Sequence, residues 1–201
     1  EQSGFTDRVM EPQQEWTEID SIKGETVTFA GTVGETQTFT ITPTGDTKLE
    51  ANETLTISQS NVSGSLPITI TDTATITINN DDSAAVTISD TSGTEDGGGI
   101  TVTATLDNAV QGGFTVDVSS ADGTATIADS DYTALVSQLV TFAGTAGETQ
   151  AFTVIPTADT KLEADETLTI SQSNLSATTL GVVITDGATV TIDNDDTATV
   201  T

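Results

Sequence analysis

Two stretches of this chain are nearly the same text. Residues 27–61 read VTFAGTVGETQTFTITPTGDTKLEANETLTISQSN, and residues 140–174 read VTFAGTAGETQAFTVIPTADTKLEADETLTISQSN. About 29 of the 35 positions are identical, and the copies lie roughly 113 residues apart. Similarity at a fixed long period marks a tandem array, in which each copy is one structural module. A chain of 201 residues has room for two modules of about 100 residues each.

Four segments are expected. Residues 1–23 form a non-repeat N-terminal segment, 24–82 a partial repeat, 83–196 a complete repeat, and 197–201 the start of a further one. The last expectation comes from TATVT at 197–201, which restarts the SAAVT of 83–87. Residues 1–16 are polar and lack the apolar stretch of a signal peptide, which suggests an internal piece of a longer protein.

The formal charge is −27, against only Arg8, Lys23, Lys48 and Lys161 on the positive side. Such a surface repels nucleic acid and anionic lipid. No run of 18 apolar residues exists, so no membrane insertion is expected of this stretch. Cysteine and histidine are absent, which removes disulfides, thiol chemistry, imidazole metal sites and a Ser-His-Asp triad. High negative charge with few aromatics is also the composition of disordered chains. Sustained strand-like alternation argues against that here, and a folded chain this acidic calls for a divalent counter-charge.

The alternation has period two. It is clearest at 100–106 (ITVTATL), 114–118 (FTVDV), 139–142, 152–155, 167–170 (TLTI) and 188–192 (ATVTI). Every second residue is apolar, which puts one face on a core and the other in water. Gly, Asp, Asn and Ser clusters punctuate these runs at about ten-residue spacing, the rhythm of an antiparallel sandwich. Phe114, Phe142, Phe152, Leu168 and Ile192 are the expected core. The fold class is therefore all-β, tandem antiparallel β-sandwiches of immunoglobulin-like type, with the first incomplete. That first copy offers strands only at 26–30, 36–42, 54–58 and 68–78, leaving open edges and half a core. Residues 1–23, missing upstream strands or a neighbouring chain would have to complete it.

Carboxylates gather between the strands. In the second copy they are Glu95–Asp96, Asp129 and Asp131 in ADSDY, Asp159 to Glu166 in ADTKLEADE, and Asp193 to Asp196 in DNDD. Two of these clusters recur in the first copy as GDTKLEANE (45–53) and NNDD (79–82). Loops at one end of a sandwich converge, and hard oxygen donors brought together suit Ca²⁺, which takes six to eight. The spacing is not that of an EF-hand, and the glycines at 97–99 have no helix or lysine after them to make a phosphate loop. Asp122 reads as a DG-turn residue. Glu35 and Glu148, in the GET turns, read as solvated. Thr-x-Thr runs suit exposed strand positions and carry no further meaning.

The segments DGTATIADSDYTA (122–134), VTFAGTAGETQAFTV (140–154), DTKLEADETLTIS (159–171) and ATVTIDNDD (188–196) together resemble the Calx-β domain family. This module is named for the regulatory region of sodium/calcium exchangers and also occurs in long extracellular surface proteins. The resemblance spans nearly all of the second copy and residues 24–82 of the first. It implies a seven-stranded sandwich binding Ca²⁺ through loops at one end. Carried over position by position, it implies Glu95, Asp131, Asp159, the backbone carbonyl of Lys161, Glu163, Glu166, Asp195 and Asp196 as ligands. Asn194 and Ala158 stand where strong binders carry acids, which implies fewer ions or lower affinity. The first copy keeps Asp46, Glu50, Glu53, Asp81 and Asp82, with Glu18 as a stand-in for Asp131; weaker binding is expected there.

These features lead to a non-enzymatic, calcium-binding structural repeat of a secreted or cell-surface, adhesin-like protein. Its partners would be neighbouring repeats, with Ca²⁺ stiffening the array. The alternative is a filament-forming extracellular subunit whose open edges are completed by a strand from a neighbouring chain. A transporter's regulatory module fits poorly with near-identical repeats. Glycoside hydrolysis by paired carboxylates fits poorly with one Trp and one Tyr.

Overall fold

A computed structural model of the chain describes residues 26–64 and 67–200. The expectations placed on residues 1–23, including Glu18, lie outside the described residues. The described chain falls into two compact units, one of 26–46 with 51–80, the other of 47–50 with 81–200. Strands dominate, and the one helical element among the described residues is a single 3-10 turn. Among the described residues no helix is long and apolar enough to cross a membrane.

The first unit contains one regular ladder. Strand β1 (Glu53–Ser58) pairs antiparallel with β2 (Thr73–Ile78), Leu55 facing Ile76. Residues 26–30 and 36–42, expected as strands, form no regular strand. Their second-copy counterparts explain why. Those counterparts, β8 (Gln138–Phe142) and β9 (Thr149–Pro156), are held by ladders to β6 (Phe114–Asp122) and β5 (Ile100–Leu106) respectively. Nothing among the described residues of the first unit supplies those two partners, and a strand without a ladder leaves its N–H and C=O groups to water.

The second unit is a sandwich of two sheets. One has the order β4-β11-β10-β6-β8, where β4 is Thr91–Thr94, β10 Glu166–Ser176 and β11 Gly187–Asp193. The other has the order β3-β5-β9-β7, where β3 is Val86–Ile88 and β7 Tyr132–Thr133. The inner faces meet in one core that includes all five residues expected there: Phe114, Phe142, Phe152, Leu168 and Ile192. Phe114 and Phe142 stack at 5.0 Å between ring centroids, across a cross-strand pair of the β6–β8 ladder. The burial of β5 alternates strictly at Ile100, Val102, Ala104 and Leu106, as the period-two pattern requires.

One strand pair departs from a purely antiparallel plan. The segment 86–94 changes sheets at Ser89–Asp90: β3 pairs with β5, and β4 then runs parallel to β11. Two aspartates fix the crossover. Asp186 accepts from the Ile88 amide at 2.8 Å, and Asp90 accepts from the Thr189 amide at 2.7 Å. A parallel pair brings both C-terminal ends to the same pole, and Thr94 lies opposite Asp193. That single pairing sets up the site.

A second departure concerns the GET glutamates, which are not simply solvated. Glu148 accepts from the amides of Ala143 (2.9 Å), Gly144 (3.0 Å) and Thr145 (3.3 Å), bridging the β8–β9 turn. Glu35 does the same with Ala30, Gly31 and Thr32. Three amides converging on one carboxylate need a turn geometry that the alternating pattern does not announce. Gly144 permits it, with φ of +92° and no room for a Cβ beside the Val110 carbonyl.

Candidate metal centre

Four chain segments reach the pole where β4 and β11 end. The 3-10 turn Glu95–Gly97 follows β4 directly, and Asn194–Asp196 follows β11. Strand β10 starts there as well, because Glu166 pairs with Ile192 near the end of β11. Asp131 arrives from the second sheet: Tyr132 pairs with Pro156, and the Thr157 amide donates to the Asp131 carbonyl at 2.9 Å. Acids far apart in sequence are thereby gathered around one cleft, lined among others by Glu95, Asp131, Asp159, Glu163, Glu166 and Asn194.

Two groups of three carboxylates form, each with ligand-capable oxygens within 4.8 Å of one another. The first is Glu95, Asp159 and Asp196; the second is Asp131, Glu163 and Glu166. Glu95 is 7% exposed, the most deeply buried carboxylate of the pole. One of its oxygens accepts from the Asp195 amide, whereas Oε1 is buried with no hydrogen-bond partner. Oδ2 of Asp196 is buried and unpartnered in the same way. Burial pushes the Glu95 carboxyl above its ordinary value, and the charges of Asp159, Asp196 and Asp195 push it further. Asp196 is raised for the same reasons, by burial first and then by Asp195, Asp96, Asp159 and Glu163. Glu166 is raised by burial and by Asp131, with which it is in hydrogen-bond contact; Glu163 adds to the effect and Lys161 opposes it.

Neutral neighbours hold the loops in place. The Asp131 carboxylate accepts from the Thr126 amide at 2.7 Å, and Asp159 from the Lys161 amide at 2.7 Å. Asn194, which stands at a position expected to carry an acid, is the brace. Its side-chain oxygen accepts from the Glu163 amide at 2.9 Å, and its Nδ2 donates to the Asp196 carbonyl at 3.1 Å. Asp165 in turn accepts from the Asn194 amide at 3.1 Å. The side-chain ammonium of Lys161 pairs with Glu163. Asp122, expected as a turn residue, ends β6 opposite Leu168, belongs to neither group, and accepts from the buried Tyr132 hydroxyl at 2.7 Å.

Of the eight residues expected in the second copy, six carboxylates converge: Glu95, Asp131, Asp159, Glu163, Glu166 and Asp196. Asp195 is exposed and belongs to neither group; its backbone amide donates to Glu95, and its charge adds to the repulsion on Glu95 and Asp196. Lys161 contributes its ion pair to the second group. The first copy is different. Asp46 and Glu53 belong to one compact unit, whereas Glu50, Asp81 and Asp82 belong to the other. Glu50 is 9% exposed and pairs with Lys48 at 3.2 Å. Among the described residues these five acids form no group of three. Sequence reasoning missed the structural part played by Asn194, since an asparagine in a run of acids reads as a lost ligand.

The family model of the Calx-beta domain matches residues 21–82 and 79–196. No curated protein sequence matches the chain. Among solved structures, the apo-form Calx CBD1 domain is 23% identical, covering 57% of this chain and all of that one, with a TM-score of 0.46. The calcium binding domain CBD12 of CALX1.1 is 26% identical, covering 55% of this chain and 44% of that one, with a TM-score of 0.45. CBD12 from CALX1.2 is 23% identical over 56% and 44%, with a TM-score of 0.47. The chain thus matches less than half the length of the two CBD12 structures.

Proposed function

The chain belongs to the Calx-beta domain family, and from that premise we propose that its second unit binds Ca²⁺ at the pole where β4 and β11 end. One observation carries the reading: Glu95 Oε1 and Asp196 Oδ2 are buried without partners, in two residues that with Asp159 bring carboxylate oxygens within 4.8 Å of one another. Buried polar atoms are nearly always satisfied, and burying like charges together is unfavourable. A hard divalent cation removes both costs at once, and oxygen donors alone are what Ca²⁺ takes. Glu95, Asp159 and Asp196 would hold one ion, and Asp131, Glu163 and Glu166 a second. The Lys161 carbonyl and Asp195 would serve at the rim. The acids of the first copy bind more weakly or not at all, because they do not converge among the described residues.

The protein is a non-catalytic structural repeat of an extracellular or cell-surface, adhesin-like molecule. Extracellular Ca²⁺ fills sites even in the weak 10⁻⁴–10⁻³ M range. Once neutralised, the pole fixes the direction in which the chain continues past Asp196, and a string of such repeats becomes a rod. Calorimetric titration of the full chain tests the binding step. Heat from two sites is expected for the wild type, and the Glu163→Gln/Glu166→Gln variant should lose the share of the second group while the first group still binds. Equal heats for both proteins would sink the assignment.

A second reading is favoured by the first unit, where β1 and β2 are the sole regular ladder among the described residues. An added strand from a neighbouring chain would extend it into a filament. Light scattering over a concentration series separates the two readings, since a concentration-independent monomer excludes strand donation.

A further inference from the structure

The hexapeptide DTKLEA occurs at 46–51 and again at 159–164, yet its two leucines meet opposite fates. Leu49 is 7% exposed and is part of the second unit's core, beside Val110. Its amide donates to the Ala109 carbonyl at 2.8 Å, and its carbonyl accepts from the Gln111 amide at 2.9 Å. These bonds make a parallel bridge to Val110. The seat is itself anchored, because the Val110 amide donates to the Gly144 carbonyl at 2.9 Å. Leu162, in the same local sequence, is 57% exposed.

We infer that Leu162 is the docking residue for a further repeat of this family. It would seat against that repeat's counterpart of Ala109–Gln111 as Leu49 seats against these residues here. Three observations choose this occupant. The docked and undocked hexapeptides are identical, so whatever shape complements one complements the other. Both carry the same lysine–glutamate pair around the leucine, Lys48–Glu50 and Lys161–Glu163. Residues 197–201 (TATVT) match residues 83–87 (SAAVT), the opening of the module that holds the seat, at three of five positions. A second copy of the present chain is excluded as the occupant, because its own seat is filled by its own Leu49. The inference rests on the repeat and on main-chain hydrogen bonds, and stands or falls independently of calcium.

Amide hydrogen exchange by NMR reads the seat directly. In the 201-residue chain, the Leu49 amide is expected to exchange slowly and the Leu162 amide at the open rate. The test protein is residues 1–196 followed by a second copy of 83–196, which reproduces the Asp-Asp-Ser-Ala-Ala junction of 81–85. There the Leu162 amide slows by at least about tenfold, and Leu162→Ser returns it to the open rate. Fast exchange at Leu162 beside protected strands in the appended module overturns the inference. Should the appended module fail to fold, Gly45→Ala/Asn52→Asp in the existing chain decides. This variant gives the docked segment the whole sequence of 158–166. Space is open around Gly45, and an aspartate at 52 keeps the oxygen that accepts from the Asn80 amide. Retained protection at Leu49 supports the inference, and loss of it refutes the claim that the Leu162 segment fits the seat.

Discussion

Replacing Glu166 by Gln should raise the protein's stability without calcium and shrink the increment that calcium adds. The oxygens of Glu166, Asp131 and Glu163 lie within 4.8 Å of one another. At that separation a pair of unit charges repels by about 3.5 kcal/mol at an effective dielectric near 20. Water at this half-buried site weakens the repulsion, and Lys161 already offsets Glu163, so roughly 1–2 kcal/mol remains to be relieved. Glutamine keeps the shape and a donor for Asp131 while removing the charge. In EDTA at pH 8, Glu166→Gln should therefore melt about 4–8 °C above the wild type. Calcium erodes that advantage. At a hundredfold excess over Kd a bound ion stabilises the fold by about 2.7 kcal/mol; a tenfold loss of affinity cuts this to about 1.4 kcal/mol. Differential scanning calorimetry across a calcium series would show a higher starting melting temperature and a shallower rise. A variant less stable than wild type in EDTA, or one with an undiminished calcium increment, refutes the electrostatic account.

Two other outcomes follow from the same structure. Glu148→Ala leaves the amides of Ala143, Gly144 and Thr145 without their acceptor and should cost about 1–3 kcal/mol in urea unfolding, with or without calcium. Stability should also respond to pH with a sign set by calcium. Burial and neighbouring charge raise Glu95, Glu166 and Asp196, so their favourable contribution is full below the ordinary carboxylate pKa and is lost as pH rises through the raised values. In EDTA, stability measured by urea unfolding should fall above about pH 4.5. In millimolar calcium it should rise over the same window, because the ion binds the deprotonated acids. A calcium-free stability that climbs with pH would contradict the crowding of these groups.

Local pattern was enough for the core of the second unit and for six of its strands, β5, β6 and β8 to β11, but not for the short β3, β4 and β7. Period-two alternation decides which face of a strand is apolar, and Phe114, Phe142, Phe152, Leu168 and Ile192 were identifiable on that ground alone. The acidic clusters, and six carboxylates that now lie together, were legible from residue type and from the family resemblance. Sequence also shows two copies of one module, because identity at a fixed period needs no coordinates to be seen.

Other features belong to the tertiary structure. The parallel pairing of β4 with β11 joins residues a hundred positions apart, and only that pairing sets Glu95 beside Asp196. Residues 26–30 and 36–42 carry a strand pattern yet form no regular strand, since a strand is completed by its partner and not by its own sequence. The same hexapeptide buries Leu49 and exposes Leu162 because burial is a property of the surface that meets a side chain. Propensity and periodicity act within a few residues. Charge repulsion, desolvation and ladder hydrogen bonds act between segments, and their outcome is fixed only when the chain has brought those segments together.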